Sequence, residues 1–276
     1  MARLLAMGII GLVVFWAGLW IWGAWNDEWS GYNAQFYASD GSCNIAVVPI
    51  MGDIGTISYP ADPDDPEAAA YPSAVVDDIL FKLRIAEADS YIEGILVRID
   101  SLGGTPVASE MLADALKTSA LPVVALIREY GTSGGYLAAT GADTIFASPL
   151  SDVGSIGITM SYLENVGKNE KEGLRYVQLA SAPFKNYGDP NKPLTAAERE
   201  LIERDLKIYH DEFVKQVAEN RNMSVEDVAK LADGSSMPGA LALENGLIDA
   251  LGNQDSTREW FAQELGISAT EIEFCE

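Results

Sequence analysis

Leu4 to Trp25 is an unbroken apolar stretch of 22 positions with no charge, and shorter periodicities begin only after it. A helix needs about 20 such residues to cross ~30 Å of hydrocarbon. Residues 1–29 are therefore expected to form an N-terminal transmembrane signal anchor. A cleaved signal peptide would carry an apolar core of about 7–15 residues followed by a small-x-small site, and this sequence has neither feature here. Trp16, Trp20, Trp22, Trp25 and Trp29 stand in or just beyond the stretch, and indole rings favour the headgroup interface. Arg3 precedes the stretch and Asp27 and Glu28 follow it. The positive-inside rule then predicts a single pass with the N-terminus in the cytoplasm and residues 26–276 on the extracytoplasmic side of the inner (cytoplasmic) membrane.

Beyond the anchor, residues 30–43 are polar and read as a tether. The apolar run Ile45–Ile50 predicts a buried strand, and the acidic Pro-rich stretch Asp62–Glu67 a loop. Val75, Val76, Ile79, Leu80 and Leu83 recur at helical spacing, predicting a helix to about Ala88. Gly94–Ile99 predicts a strand, Val107–Lys117 a helix, Pro122–Ile127 a strand, Ser133–Gly141 a small-residue helix and Asp143–Ala147 a strand. Arg175–Leu179 reads as another strand. A long helix is predicted from Ala196 to Asn220, with a stripe of Ile202, Leu206, Tyr209, Phe213 and Val217. Its start is set by the capping box Thr195…Glu198. Shorter helices are predicted near Val225–Ala232 and Ser256–Leu265. Strands alternating with helices predict an α/β domain over residues 44–252, followed by a C-terminal helix and tail at 253–276.

Charge and composition remove whole classes of function. Lys plus Arg total 18 and Asp plus Glu 41, a formal net charge of −23. Phosphate backbones need clustered cations, so nucleic acid is excluded as a partner. One histidine, His210, rules out a site built on two imidazoles. Two cysteines, Cys43 and Cys275, cannot make a disulfide framework or a zinc site, and their spacing leaves their pairing open. So acidic a surface favours basic or apolar extended segments over acidic ones as binding partners.

Two glycine-rich junctions carry candidate chemistry. Asp100-Ser101-Leu102-Gly103-Gly104 follows the GILVRI strand, where paired glycines leave amide groups exposed for a phosphate or an oxyanion. No Lys-Ser/Thr follows, which disfavours a phosphate loop. Gly131-Thr132-Ser133-Gly134-Gly135-Tyr136 fits G-x-S-x-G between a strand and a helix, a setting that exposes a nucleophilic serine or, more plainly, an N-cap. A serine nucleophile needs a base. His210 lies mid-helix on the flank of an apolar stripe. A lysine stripped of its hydration is the other candidate. Lys185, in Ala182-Pro183-Phe184-Lys185-Asn186-Tyr187-Gly188, has aromatic and uncharged neighbours, and Lys192 in the same loop is the second choice.

Asp100-Ser101-Leu102-Gly103-Gly104, Ser133-Gly134-Gly135-Tyr136, Gly154-Ser155-Ile156-Gly157 and Phe184-Lys185 occur in an order and spacing that resembles the signal peptide peptidase A family, the protease IV type of membrane serine peptidase. Ala232-Asp233-Gly234, Gly239, Gly246-Leu247-Ile248-Asp249 and Leu251-Gly252 resemble its closing elements. The resemblance covers residues 44 to 252. It implies a Clp-protease/crotonase-like α/β fold and a Ser/Lys dyad. Ser133 would be the nucleophile, Lys185 the general base and Ser155 the residue orienting the lysine, with Gly103 and Gly104 forming the oxyanion hole. No metal or cofactor is implied. The family hydrolyses remnant signal peptides and other membrane-derived or misfolded segments on the extracytoplasmic side. Its short single-domain members form homo-oligomeric rings with sites completed between protomers. Leu102 stands where the family usually has Pro, and Thr132 where it has Ala or Ser. Ser235-Ser236-Met237-Pro238-Gly239 lacks the family's basic residue, and the resemblance does not extend over 253–276. Two other readings stay open: a Ser/His hydrolase using His210, and a non-catalytic membrane-anchored scaffold of the same fold.

Overall fold

Long aliphatic runs become the three central strands of the computed structural model, which describes residues 39, 41–57 and 73–275. The expected anchor, most of the tether and the Pro-rich stretch lie outside the described residues. Among the described residues no helix is long and apolar enough to cross a membrane.

The strands are β1 (Ile45–Gly55), β3 (Gly94–Gly104) and β4 (Val123–Thr132), parallel and in register through Val48↔Val97 and Val97↔Ala125. Their side chains alternate between two apolar layers. Ala46, Val48, Ile50, Ile95, Val97, Ile99, Ala125 and Ile127 pack on one face. Ile45, Val47, Leu96, Val124 and Leu126 pack on the other. A parallel sheet covered on both faces needs this near-continuous aliphatic sequence. The first face is covered by α1 (Val76–Ala88), α2 (Pro106–Lys117), α3 (Gly134–Ala139) and the buried half of a long helix described below.

Among the described residues short strands complete a nine-stranded sheet whose main path runs β2-β1-β3-β4-β5-β8, with β6, β7 and β9 off it. β2 (Ser73–Val75) pairs with the end of β1. β5 (Thr144–Ala147) and β6 (Asp152–Gly154) share one edge of β4, β5 beside Val124–Ile127 and β6 beside Tyr130–Thr132. The remaining helices are α4 (Val166–Lys171), α5 (Ala196–Asn220), α6 (Val225–Leu231), α7 (Gly239–Glu244) and α8 (Gln254–Leu265). Among them run β7 (Ser236–Pro238), antiparallel to β6, and β8 (Ala250–Leu251). Helix α8 covers the second face through Phe261, which is fully buried.

The capping box of α5 is present: Thr195 N–H donates to Glu198 Oε2 at 3.0 Å and Glu198 N–H to Thr195 Oγ1 at 3.3 Å. Its apolar stripe is covered over only half its length. Phe213 and Val217 are buried, whereas Ile208 and Tyr209 are more than half exposed. The strand expected at Arg175–Leu179 is not formed. Its alternating pattern suits a strand, but a strand exists only through a ladder partner, and the segment has none among the described residues. Val177 and Leu179 are 65% and 91% exposed. The strand expected to end at Ile99 instead continues to Gly104 after a register shift beyond Ile99.

The C-terminal segment returns to the start of β1. β9 (Phe274–Cys275) pairs with Ile45 and Ala46, and Cys275 is disulfide-bonded to Cys43. The bond joins residues 232 apart in sequence, so it removes much of the unfolded chain's freedom. Cys275→Ser is expected to lower stability by about 2–5 kcal/mol, read as a fall in Tm that reductant reproduces in the wild type; an unchanged Tm in both would show that the crosslink contributes nothing.

Candidate active site

Thr132, the last residue of β4, pairs with Gly154, the last of β6. Ser133 comes next, with φ 51° and ψ −125°. That conformation costs a residue with a Cβ about 1–3 kcal/mol, and hydrogen bonds on both sides hold it. Ser133 N–H donates to the Gly154 carbonyl at 2.7 Å, and the Ser133 carbonyl accepts from Leu137 N–H at 3.0 Å, opening α3. Ser155 repeats the device on the neighbouring strand end, with φ 50°. Its N–H donates to the Ser235 carbonyl at 3.0 Å and its hydroxyl to the Gly234 carbonyl at 3.0 Å. Two lone pairs remain on that hydroxyl.

The Gly103-Gly104 pair lies against Ser133. Gly103 has φ +125°, and a Cβ on it would fall 2.8 Å from Ser133 Cβ, so only glycine fits. Its N–H donates to Ser101 Oγ at 3.1 Å, which engages one of the two amides expected to hold an oxyanion. The other is placed differently. Thr105 N–H takes the Ile54 carbonyl at 2.8 Å. In the parallel register Ile54↔Gly104, this turns the Gly104 N–H away from β1. The Gly104 nitrogen is 3.2 Å from where a Cβ on Gly134 would stand, and that Cβ would also collide with Ser109 Oγ at 2.2 Å. Gly134 opens α3, so its own N–H has no intrahelical acceptor. The Gly104 and Gly134 amides thus stand beside Ser133, the first not used by β1 and the second not used within α3. Sequence reading passed over Gly134, although the residue after a candidate nucleophile necessarily carries its amide beside the hydroxyl. Leu102 and Thr132, two of the departures from the family pattern, touch: Thr132 Oγ1 donates to the Leu102 carbonyl at 3.2 Å.

Two hollows meet at Ser133. One, of ≈ 290 Å³, has Ser133, Gly134, Leu137 and Phe213 in its wall. The other, of ≈ 350 Å³, has Ser133, Gly157, Met160 and Tyr187. Neither is lined by Lys185, which is exposed on the turn of residues 181–188. One copy of the chain does not bring Lys185 into the Ser133 cavities. Lys192 is paired with Glu198. His210 donates from Nε2 to the Ala232 carbonyl at 2.9 Å and lines neither hollow. No group of three or more His, Cys, Asp or Glu side chains among the described residues is arranged to hold a metal ion.

Behind Ser133, Tyr136 is fully buried and donates its hydroxyl to the Leu247 carbonyl at 2.8 Å. Burial pushes its phenol pKa up, keeping it a neutral donor. Arg221 makes a two-pronged pair with Asp249, at 2.9 Å and 2.8 Å, and donates to the Gly246 carbonyl. The Gly246–Asp249 element therefore braces the helix that begins at the serine.

The Lys185 turn is organised by Asp189, whose importance sequence reading did not show. Its carboxylate accepts from Asn191 N–H at 2.8 Å, Tyr176 Oη at 2.9 Å and Asn191 Nδ2 at 3.1 Å. Asn186 Nδ2 donates to Tyr176 Oη at 2.9 Å. The Asn191 amide, then the Tyr176 hydroxyl, hold the Asp189 carboxyl below its ordinary range. A depressed carboxyl stabilises the loop above the ordinary aspartate pKa, and that contribution is lost as pH falls through the lowered value. Asp189→Ala is expected to speed amide exchange across residues 176–191 at neutral pH while β1, β3 and β4 stay protected, and acidification is expected to do the same to the wild type. Equal protection in variant and wild type would remove Asp189 from this role.

The model of peptidase family S49 matches residues 115–268, more than half of the chain and reaching into the C-terminal segment. Among curated sequences, an inferred protease of Methanocaldococcus jannaschii is 32% identical over 212 residues, 76% of this chain and 66% of that protein. An inferred signal peptide peptidase SppA of Enterococcus faecium is 29% identical over 264 residues, 90% of this chain and 75% of that protein. Among solved structures, a ClpP1 mutant from Listeria monocytogenes superposes with a TM-score of 0.49 at 16% identity, covering 76% of this chain and 92% of that one. With the family model matched over most of the α/β domain, from the end of α2 past Ser133 to α8, the chain belongs to peptidase family S49, a family of serine peptidases.

Proposed function

We propose that the protein is a membrane-anchored signal peptide peptidase in which Ser133 is the nucleophile and Lys185 of a neighbouring copy is the general base. The observation that carries this reading is Ser133 itself. It is held at φ 51° where two cavities meet, with the Gly104 and Gly134 amides beside it and no lysine or histidine among the described residues lining either cavity. His210 and Lys192 are engaged elsewhere. Lys185, carried outward on a turn braced by Asp189, is the expected base whose ammonium is free to enter a second copy's site.

Neutral Lys185 takes the Ser133 proton as Oγ attacks the peptide carbonyl. The Gly104 and Gly134 N–H groups hold the oxyanion of the tetrahedral intermediate, each worth about 3 kcal/mol of barrier. Lysine then protonates the departing amine, and water repeats the sequence on the acyl-enzyme. Ser155, its hydroxyl anchored on Gly234, offers lone pairs to orient the incoming ammonium. The substrates are remnant signal peptides and other membrane-derived or misfolded segments. An extracytoplasmic site fits the uncharged stretch Leu4–Trp25 and the Cys43–Cys275 bond, since disulfides persist in oxidising compartments. A ring of copies supplies each site with its lysine through a heterologous interface.

Ser133→Ala and Lys185→Ala are each expected to lower kcat/KM on an apolar peptide at least about 10³-fold while folding survives. Co-expressed, the two inactive variants are expected to recover activity at about a quarter of the sites, those pairing an intact serine with an intact lysine across one interface. Full activity in either single variant rejects the dyad, and a mixture that stays inactive confines the two residues to one chain.

A further inference from the structure

The ≈ 290 Å³ hollow changes character along its length. Near Ser133 its walls are apolar, from Leu137, Ile158, Ile208 and Phe213. Glu110 stands one helical turn beyond Pro106 on α2, and Glu212 one turn beyond Ile208 on α5, each step about 5.4 Å along its helix. Gln216 closes the gap between the two helices, donating from Nε2 to Glu110 Oε1 at 2.9 Å and Glu212 Oε1 at 3.4 Å. Both glutamates and Gln216 line the hollow. Lys215 lies beside Glu212, at 3.2 Å and 3.4 Å, but does not line the cavity. Two carboxylates therefore face one ammonium that is held outside, and the cavity end retains negative charge.

Resting on the peptidase reading above, the geometry points to this hollow as the pocket for the side chain of the residue whose carbonyl Ser133 attacks, and to Lys or Arg as its preferred occupant. The orientation follows from the amides. Gly104 borders both hollows, but Gly134 borders only this one. A carbonyl oxygen held between those two amides directs its own residue's side chain this way. The occupant follows from the lining. A short or branched apolar side chain fills the mouth and brings no charge to Glu110 and Glu212. An acidic side chain meets like charge. A long methylene stem with a cationic tip packs its stem on Leu137, Ile158 and Phe213 and delivers the charge to Glu110 and Glu212.

The test uses peptides alike except for Lys, Leu or Glu at the residue preceding the scissile bond, cleaved by the full chain. Ser133 labelling by a serine-reactive covalent probe is followed in parallel. Wild type is expected to cleave the Lys peptide roughly tenfold or more better than the Leu peptide in kcat/KM, and the Glu peptide worst. Glu110→Gln and Glu212→Gln are each expected to lower the Lys-to-Leu ratio severalfold. Glu110→Lys is expected to raise cleavage of the Glu peptide relative to the Lys peptide, a gain that misfolding cannot produce. A wild-type ratio near one, or a ratio that neither Gln variant moves, overturns the proposal while cleavage through a labelled Ser133 leaves the peptidase reading intact. No labelling and no cleavage of any of the three peptides overturns both.

Discussion

The site depends on one short hydrogen bond between strand ends, from Ser133 N–H to the Gly154 carbonyl. It continues the β4–β6 ladder one step past Thr132↔Gly154 and so forces the serine into a backbone region that its Cβ disfavours. Everything near the hydroxyl follows from that turn. Gly103 must lack a side chain because Ser133 Cβ occupies its space, and Gly134 must lack one because Ser109 occupies the other side. The same bend starts α3 beside Gly104. The strain is local, and what balances it is distributed. Tyr136 on Leu247 ties the serine's helix to the closing element, and Arg221 on Asp249 ties that element to the end of α5. The closing Gly-Leu-Ile-Asp element is thus a mechanical support for a residue more than a hundred positions away.

The half-covered helix α5 belongs to the same logic. Its C-terminal half is committed to the core through Phe213, Val214 and Val217, while its N-terminal half leaves Ile208 and Tyr209 open. A helix whose apolar stripe outruns the core that covers it leaves a hollow, and this hollow opens beside Ser133. Lys185 is a different case: a hydrogen-bonded lattice around Asp189 shapes its turn, yet the turn faces outward.

Much of this was readable from residues alone. The aliphatic runs of β1, β3 and β4 are continuous because both faces are buried, and Thr195…Glu198 announced the start of α5. Gly-Thr-Ser-Gly-Gly between a strand and a helix marked Ser133 because few other sequences tolerate so tight a turn. What stayed hidden depends on partners distant in sequence. β6, β7, β8 and β9 are two or three residues long and exist only through the strands beside them. Arg175–Leu179 has the alternation of a strand without a neighbour to pair with among the described residues. Which glycine amide is engaged is set by a local side chain: Ser101 Oγ takes the Gly103 N–H, and no pattern of residue types reveals that. The pairing of Cys43 with Cys275 needed β9 to return to Ile45, a contact spanning nearly the whole domain.

That return has a geometric consequence. Cys43 is pinned at the amino end of β1, and the chain leads back from there toward residue 1. Ser133 sits past the carboxyl end of β4, parallel to β1 through β3. Ten residues of strand at about 3.3 Å each put some 30 Å of sheet between the two. The disulfide and the Ser133 turn therefore stand at opposite ends of the sheet, so the crosslink fixes where the chain enters β1 without constraining the backbone around the serine.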